Sequence, residues 1–171
     1  MKKLWVILLI ALLLAGCGKG KTLETVSDVL TEPVVATVQH IRVNLPPEIS
    51  TPALQSQENG TLYLCDDYSV TVQTLQSGNL EQTIRTVTGL DKESLQIQST
   101  QQGSAKRHQF VWVTTGEEGT QVGRTCILDD GAYHYVLTAM AEETAAQQVQ
   151  TVWKEIFASF CLTPEPITTG S

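Results

Sequence analysis

Residues 121–160 read QVGRTCILDDGAYHYVLTAMAEETAAQQVQTVWKEIFASF, and they decide the fold. Residues 121–128 form a strand-like run, and 132–140 (AYHYVLTAM) form another. Between them stands Asp129-Asp130-Gly131. Asp-Gly between two such runs marks a tight antiparallel hairpin, because Gly reaches the positive φ that the turn demands. Upstream, 106–115 (KRHQFVWVTT) predicts a third strand, with Phe110 and Trp112 facing opposite to Val111 and Val113. Residues 116–119 turn it into the next, so the three make an antiparallel meander. Residues 142–160 then predict a long helix. Ala145, Val149, Val152, Trp153, Ile156 and Phe157 recur at three- and four-residue spacings, and Phe160 continues the stripe. Glu142 and Glu143 fall in its first turn, where the helix dipole favours negative charge. Such a stripe has to lie on an apolar surface, and the sheet is the only large one the chain offers.

Working outward, 94–99 (SLQIQS) alternates like a strand, and 80–88 (LEQTIRTVT) predicts a short helix begun at Gly78-Asn79 and stopped by Gly89. Residues 61–65 and 68–76 predict two strands around Asp66-Asp67, and 48–60 a polar loop. Residues 34–45 (VVATVQHIRVNL) predict a strand that Pro46-Pro47 ends. Residues 22–32 suit a short amphipathic helix or a docked lead-in, closed by Pro33. Strands and helices are segregated rather than alternating. That pattern argues for an α+β fold: an antiparallel sheet of about six or seven strands, packed by the long C-terminal helix and one short helix. The expected organisation is a leader over 1–16, an anchor and lead-in over 17–32, one domain over 33–163 and a polar tail over 164–171.

The leader is the clearest statement of address. Met1-Lys2-Lys3 is a basic start, and Leu4 to Leu14 is an uncharged apolar run of 11 residues. A spanning helix needs about 20 residues, so the run reads as the core of a signal peptide. It ends in Leu14-Ala15-Gly16-Cys17, which matches a bacterial lipobox and resembles a lipoprotein signal throughout. The resemblance implies a diacylglycerol on the Cys17 thiol, cleavage before it and acylation of the new amino terminus, palmitate being a typical chain. Each buried CH₂ contributes roughly 0.8 kcal/mol, and two or more chains anchor stably where one does not. The mature chain is therefore expected outside the cytoplasmic membrane of a bacterial envelope, anchored but not spanning, on a flexible Gly18-Lys19-Gly20-Lys21 tether.

The net charge is −7, and loss of Lys2 and Lys3 with the leader makes it more negative. The longest basic run is Lys106-Arg107-His108. Nucleic acid is excluded as a partner, since phosphate neutralisation needs clustered Lys and Arg. Beyond Cys17 there are Cys65, Cys126 and Cys161, all in apolar settings and none in CxxC spacing. Their odd number leaves two arrangements: three thiols in the core, or one bridge and one thiol.

His40, His108 and His134 lack metal-ligand spacing, and no serine sits in a GxSxG elbow. Asp66-Asp67 and Asp129-Asp130 would have to converge to hold a hard cation; their placement beside strands suits turn chemistry better. No catalytic residue, metal site or cofactor is therefore expected. The one surface the sequence singles out is the hairpin, where Arg124, Tyr133, His134 and Tyr135 put a cation and polar aromatics on adjacent strands. Such a set serves partner or ligand binding, or cross-strand packing.

The segment from Tyr135-Val136-Leu137-Thr138-Ala139 through the helix to Ile156-Phe157-Ala158-Ser159-Phe160 is similar to the C-terminal part of the PsbP/Mog1-like superfamily. That resemblance implies an antiparallel sheet between helices and adaptor or accessory roles, and it supplies no catalytic residues. The expectation is a membrane-anchored, non-catalytic binding or accessory module, partnered in the envelope. An envelope-acting hydrolase or metal-dependent enzyme, and a self-associating structural protein, are the alternatives.

Overall fold

A computed structural model describes residues 36–49, 54–56, 60–117 and 119–163. The leader, Cys17 and the helix expected over 22–32 lie outside the described residues, as does the tail from 164. The fold is α+β, and a seven-stranded antiparallel sheet is its centre. In chain order its strands are β2 (Leu54–Ser56), β3 (Gly60–Leu64), β4 (Ser69–Gln76), β5 (Gln98–Gln102), β6 (Ala105–Gly116), β7 (Gly119–Asp129) and β8 (Tyr133–Glu142). In space they run β2-β3-β4-β8-β7-β6-β5. A separate two-stranded pair joins β1 (His40–Arg42) to β9 (Cys161–Thr163). Two helices complete the fold, α1 (Leu80–Thr88) and α2 (Glu143–Ser159).

The meander forms as the sequence predicts. β6 pairs with β7 from Lys106↔Asp129 to Gly116↔Gly119, and β7 pairs with β8 from Gln121↔Glu142 to Asp129↔His134. Gly131 has φ 91°, the left-handed value that the turn requires. β8 lies at the centre of the sheet and is buried on both faces over most of its length. Its alternate residues serve different cores. Tyr135, Leu137 and Ala139 join Val149, Trp153, Ile156 and Phe157 of α2. Val136 joins Phe110, Trp112, Ile127 and Ile84 of α1 on the other face. Each fully buried large side chain contributes about 1.5–3 kcal/mol.

Trp112 reaches its place in the second core through a glycine. It stands opposite Gly123 on β7, and a Cβ on Gly123 would collide with the six-membered ring. The indole N–H then donates to Thr125 Oγ1 at 3.0 Å, and Thr125 and Thr138 hydroxyls meet at 3.1 Å.

α1 spans the predicted 80–88. The Asn79 side chain accepts from the Glu81 N–H at 3.0 Å, which satisfies a donor at the helix start. The Gly89 N–H closes the end on Arg85 O at 2.9 Å. α2 is fastened at its C-terminal end by a residue from β6. Arg107 donates from Nη2 to Phe157 O at 2.6 Å and from Nη1 to Phe160 O at 2.9 Å. A cation there also meets the negative end of the helix dipole.

Three expectations change. The strand expected over 34–45 shrinks to His40–Arg42 among the described residues, because its only partner, β9, is three residues long. The polar loop expected over 48–60 contains β2, which pairs with β3, and a 3-10 turn over Pro47–Ile49. The strand expected over 94–99 begins instead at Gln98, after a 3-10 turn over Lys92–Ser94. Leu95 and Ile97 share one side of the expected strand. They pack on the Trp112 core from irregular backbone.

Candidate functional site

The structure divides the hairpin residues Arg124, Tyr133, His134 and Tyr135 between two faces and two jobs. Tyr133 and Tyr135 lie on the α2 face, with ring centroids 6.2 Å apart. They hold the start of the domain. The Tyr133 hydroxyl donates to Ala36 O at 3.2 Å, and the Tyr135 hydroxyl accepts from the Gln39 N–H at 2.8 Å. Tyr135 in turn donates to Asp130 Oδ2 at 2.9 Å. Burial, with Asp130 beside it, pushes the Tyr135 phenol up to about 12. Burial disfavours the Asp130 carboxylate, but the Tyr133 and Ala132 amides, the Tyr135 hydroxyl and Gln39 outweigh it and hold its pKa below the ordinary value.

His134 points to the α1 face and is sealed, at 1% exposure. Its Nδ1 meets Thr83 Oγ1 at 2.7 Å, and its Nε2 faces Ser77 Oγ at 3.4 Å and Asp129 Oδ1 at 3.6 Å. A nucleophile-activating triad needs serine and carboxylate on opposite ring nitrogens. Ser77 and Asp129 share one nitrogen, and the Thr83 hydroxyl on the other is sealed from solvent together with the ring, so the group is a structural bridge from the sheet to α1. His108, also on a buried strand face, meets Ser99 Oγ at 2.8 Å, and burial lowers its pKa.

The acidic pairs lie at opposite ends of β8. Asp66-Asp67 precede β4, whose Ser69 pairs with Met140; Asp129-Asp130 precede Tyr133, which pairs with Gln76. They cannot share a cation. The Asp129 and Asp130 carboxylates accept from Gly131, Ala132 and Tyr133 amides, which is the turn chemistry expected of them. Among the described residues no group of three or more His, Cys, Asp or Glu is placed to hold a metal ion. No disulfide joins Cys65, Cys126 and Cys161 to one another. Only Cys126 is fully buried, and burial raises its thiol to about 12, which makes it unreactive.

Of the four, Arg124 lines a groove. A groove of about 710 Å³ runs between α2 and the β6–β7 strands. Its sheet wall includes Gln109, Val111, Val122 and Arg124. Its helix wall includes Ala146, Gln150, Trp153 and Lys154, and Ser94, Gln96 and Gln98 close its outer side. The Arg124 guanidinium stands 4.6 Å from the centre of the Phe157 ring and donates to Gln109 Oε1 at 3.3 Å. Burial, and Arg107 nearby, lower its pKa. Trp153 is 4% exposed, and its indole N–H is buried with no acceptor. Val111 in its wall and Val113 beside it are 59% and 53% exposed, although their neighbours Phe110 and Trp112 are buried.

Sequence reasoning finds Arg124 but takes Trp153 for core alone and misses the groove. The available signal was the 110–115 stretch. Its outward face carries two valines in succession, Val111 and Val113, both more than half exposed, which is unusual for a solvent face. The groove itself comes from how far α2 stands from β6, which no local pattern encodes.

No protein-family model matches the chain, and no curated protein matches it in sequence. Solved structures do match in fold. LpqN of Mycobacterium tuberculosis, described as involved in cell envelope biogenesis, superposes with a TM-score of 0.50 at 12% identity, over 74% of this chain and 85% of LpqN. The Ran-binding protein Mog1p of Saccharomyces cerevisiae gives 0.48 at 14% identity, over 71% and 89%. Cyanobacterial PsbP of Synechocystis sp. PCC 6803 gives 0.49 at 8% identity, over 75% and 96%. At these identities the likeness to the three structures is one of fold.

Proposed function

We propose that this chain is a membrane-anchored, extracytoplasmic, non-catalytic binding module that receives its partner in the groove between α2 and β6–β7. The carrying observation is Arg124, a cation set in that groove without a carboxylate. Its guanidinium is half buried beside the Gln109 amide and the Phe157 ring. A cation drawn partly out of water favours an opposite charge, so a cavity that presents one suits a ligand that carries the other. The lipobox ending in Cys17 supports the anchor, and the fold likeness to LpqN agrees with a place in the envelope.

Photocrosslinking tests the groove. A photoreactive residue at position 113 of the tagged full-length chain is expected to give one dominant product in cells. Arg124→Gln should remove that product. The same residue at position 155, exposed on α2 outside the groove, should not give it. Identical products from both positions would refute the groove. Cys17→Ala should abolish labelling by a palmitate analogue and release the chain from membranes; retention would refute the lipid anchor.

A further inference from the structure

Resting on that groove reading, we propose that the occupant is an extended peptide segment bearing a carboxylate, laid along the open side of β6 with its carboxylate against Arg124. Charge is the first argument. The chain has 18 acidic and 11 basic residues, yet the groove is lined by Arg124 and Lys154 and by no Asp or Glu. A cation drawn partly out of water without a counter-charge is unfavourable. A carboxylate offers the planar, two-bond match that a guanidinium prefers.

The backbone is the second argument. β5 covers β6 only from Ala105 to Gln109. From Phe110 to Gly116, β6 has β7 on one side and, among the described residues, no strand on the other. Free strand edges usually carry a Lys, a Pro or a bulge that prevents pairing. This run, FVWVTTG, has neither Lys nor Pro. An added strand would complete its unpaired N–H and C=O groups. Val111 and Val113 stand at alternate positions, the spacing at which an added strand presents side chains.

The amides are the third argument. Gln96, Gln98, Gln109 and Gln150 line the groove, each with donors and an acceptor. They match peptide groups rather than an acyl chain.

The test is selection from a displayed random peptide library on the purified full chain, followed by anisotropy titration of the winners. Acidic peptides rich in β-branched residues are expected. Arg124→Gln should weaken them about tenfold or more, and Arg124→Lys should restore part of the loss. Amidating the peptide's carboxylate should cost as much, and the two losses should not add. Val113→Lys, at an exposed position, should also block binding by covering the edge; it serves if Arg124→Gln does not fold. Peptides indifferent to amidation but blocked by Val113→Lys would overturn the carboxylate and leave the groove standing. Failure to select any peptide, or binding that survives both variants, would overturn the proposal. Crosslinking from position 113 would then judge the groove independently.

Discussion

At the turn between β7 and β8, one carboxylate accepts four hydrogen bonds. Asp130 takes the Ala132 and Tyr133 amides on Oδ1, and the Gln39 side chain and Tyr135 hydroxyl on Oδ2. It fixes the hairpin and ties the start of the domain to it. Hydrogen bonds to a charged group contribute about 1.5–3 kcal/mol each where well made. Asp130→Asn should therefore lower unfolding stability at neutral pH by about 1–3 kcal/mol. Because the folded pKa lies below the unfolded one, the Asp130 contribution is complete above the ordinary carboxylate range. It is lost as pH falls through the lowered value. Urea unfolding of wild type and variant should thus converge below about pH 4. A gap that stays constant into strong acid would contradict the charge. His108 also loses stability in acid, its folded pKa being depressed, but it does so in both proteins and cancels.

At the level of elements, the closing helix shows what periodicity can and cannot give. The stripe from Val149 to Phe160 specifies a helix and its buried face without reference to the rest of the chain. Its C-terminal fastening is supplied from elsewhere. The last turn of α2 contains no basic residue, and Arg107 comes across from β6 to meet the carbonyls of Phe157 and Phe160. Gln102 also donates to Phe160 O at 3.2 Å. In the sequence, Lys106-Arg107-His108 is only a short basic run; the pleat exposes Lys106 and buries much of Arg107. Arg107→Ala should lower the free energy of unfolding by about 1.5–3 kcal/mol, whereas Lys106→Ala should stay within about 0.5 kcal/mol. Equal effects in thermal or chemical denaturation would show that the cap contributes nothing.

For the whole molecule, the two-stranded pair is the clasp. His40, Ile41 and Arg42 stand opposite Thr163, Leu162 and Cys161, so the beginning and end of the described domain close on each other. Ile41 and Leu162 both pack against the α2 core. The Asn44 N–H also donates to Ser159 Oγ at 2.8 Å, beside the end of α2. Ile41→Ala and Leu162→Ala should each cost about 1–2 kcal/mol, below the 2–5 kcal/mol of a fully buried site, because both are partly exposed. The double variant should cost less than the two losses together, by about 0.5 kcal/mol or more. Strict additivity in a double-mutant cycle would mean the two ends do not support each other.

The sequence by itself determined the elements whose causes are local. Asp-Gly makes the hairpin, Asn79 and Gly89 bound the short helix, and the stripe of α2 declares an amphipathic helix wherever it sits. It also determined an α+β class, since strands and helices are segregated along the chain. Tertiary structure decided what depends on distant partners. β2 and β9 are three residues each and exist because β3 and β1 pair with them. Leu95 and Ile97 alternate like a strand, yet the Trp112 core holds them outside one. Tyr133, His134 and Tyr135 are consecutive, but the pleat sends His134 to one core and the two tyrosines to the other. Arg124 became a groove residue only when α2 settled beside it and left Trp153 with an unanswered N–H. Local chemistry fixes which backbone conformations a segment prefers. Which face is covered, and where space is left over, follows only from packing segments far apart in the chain.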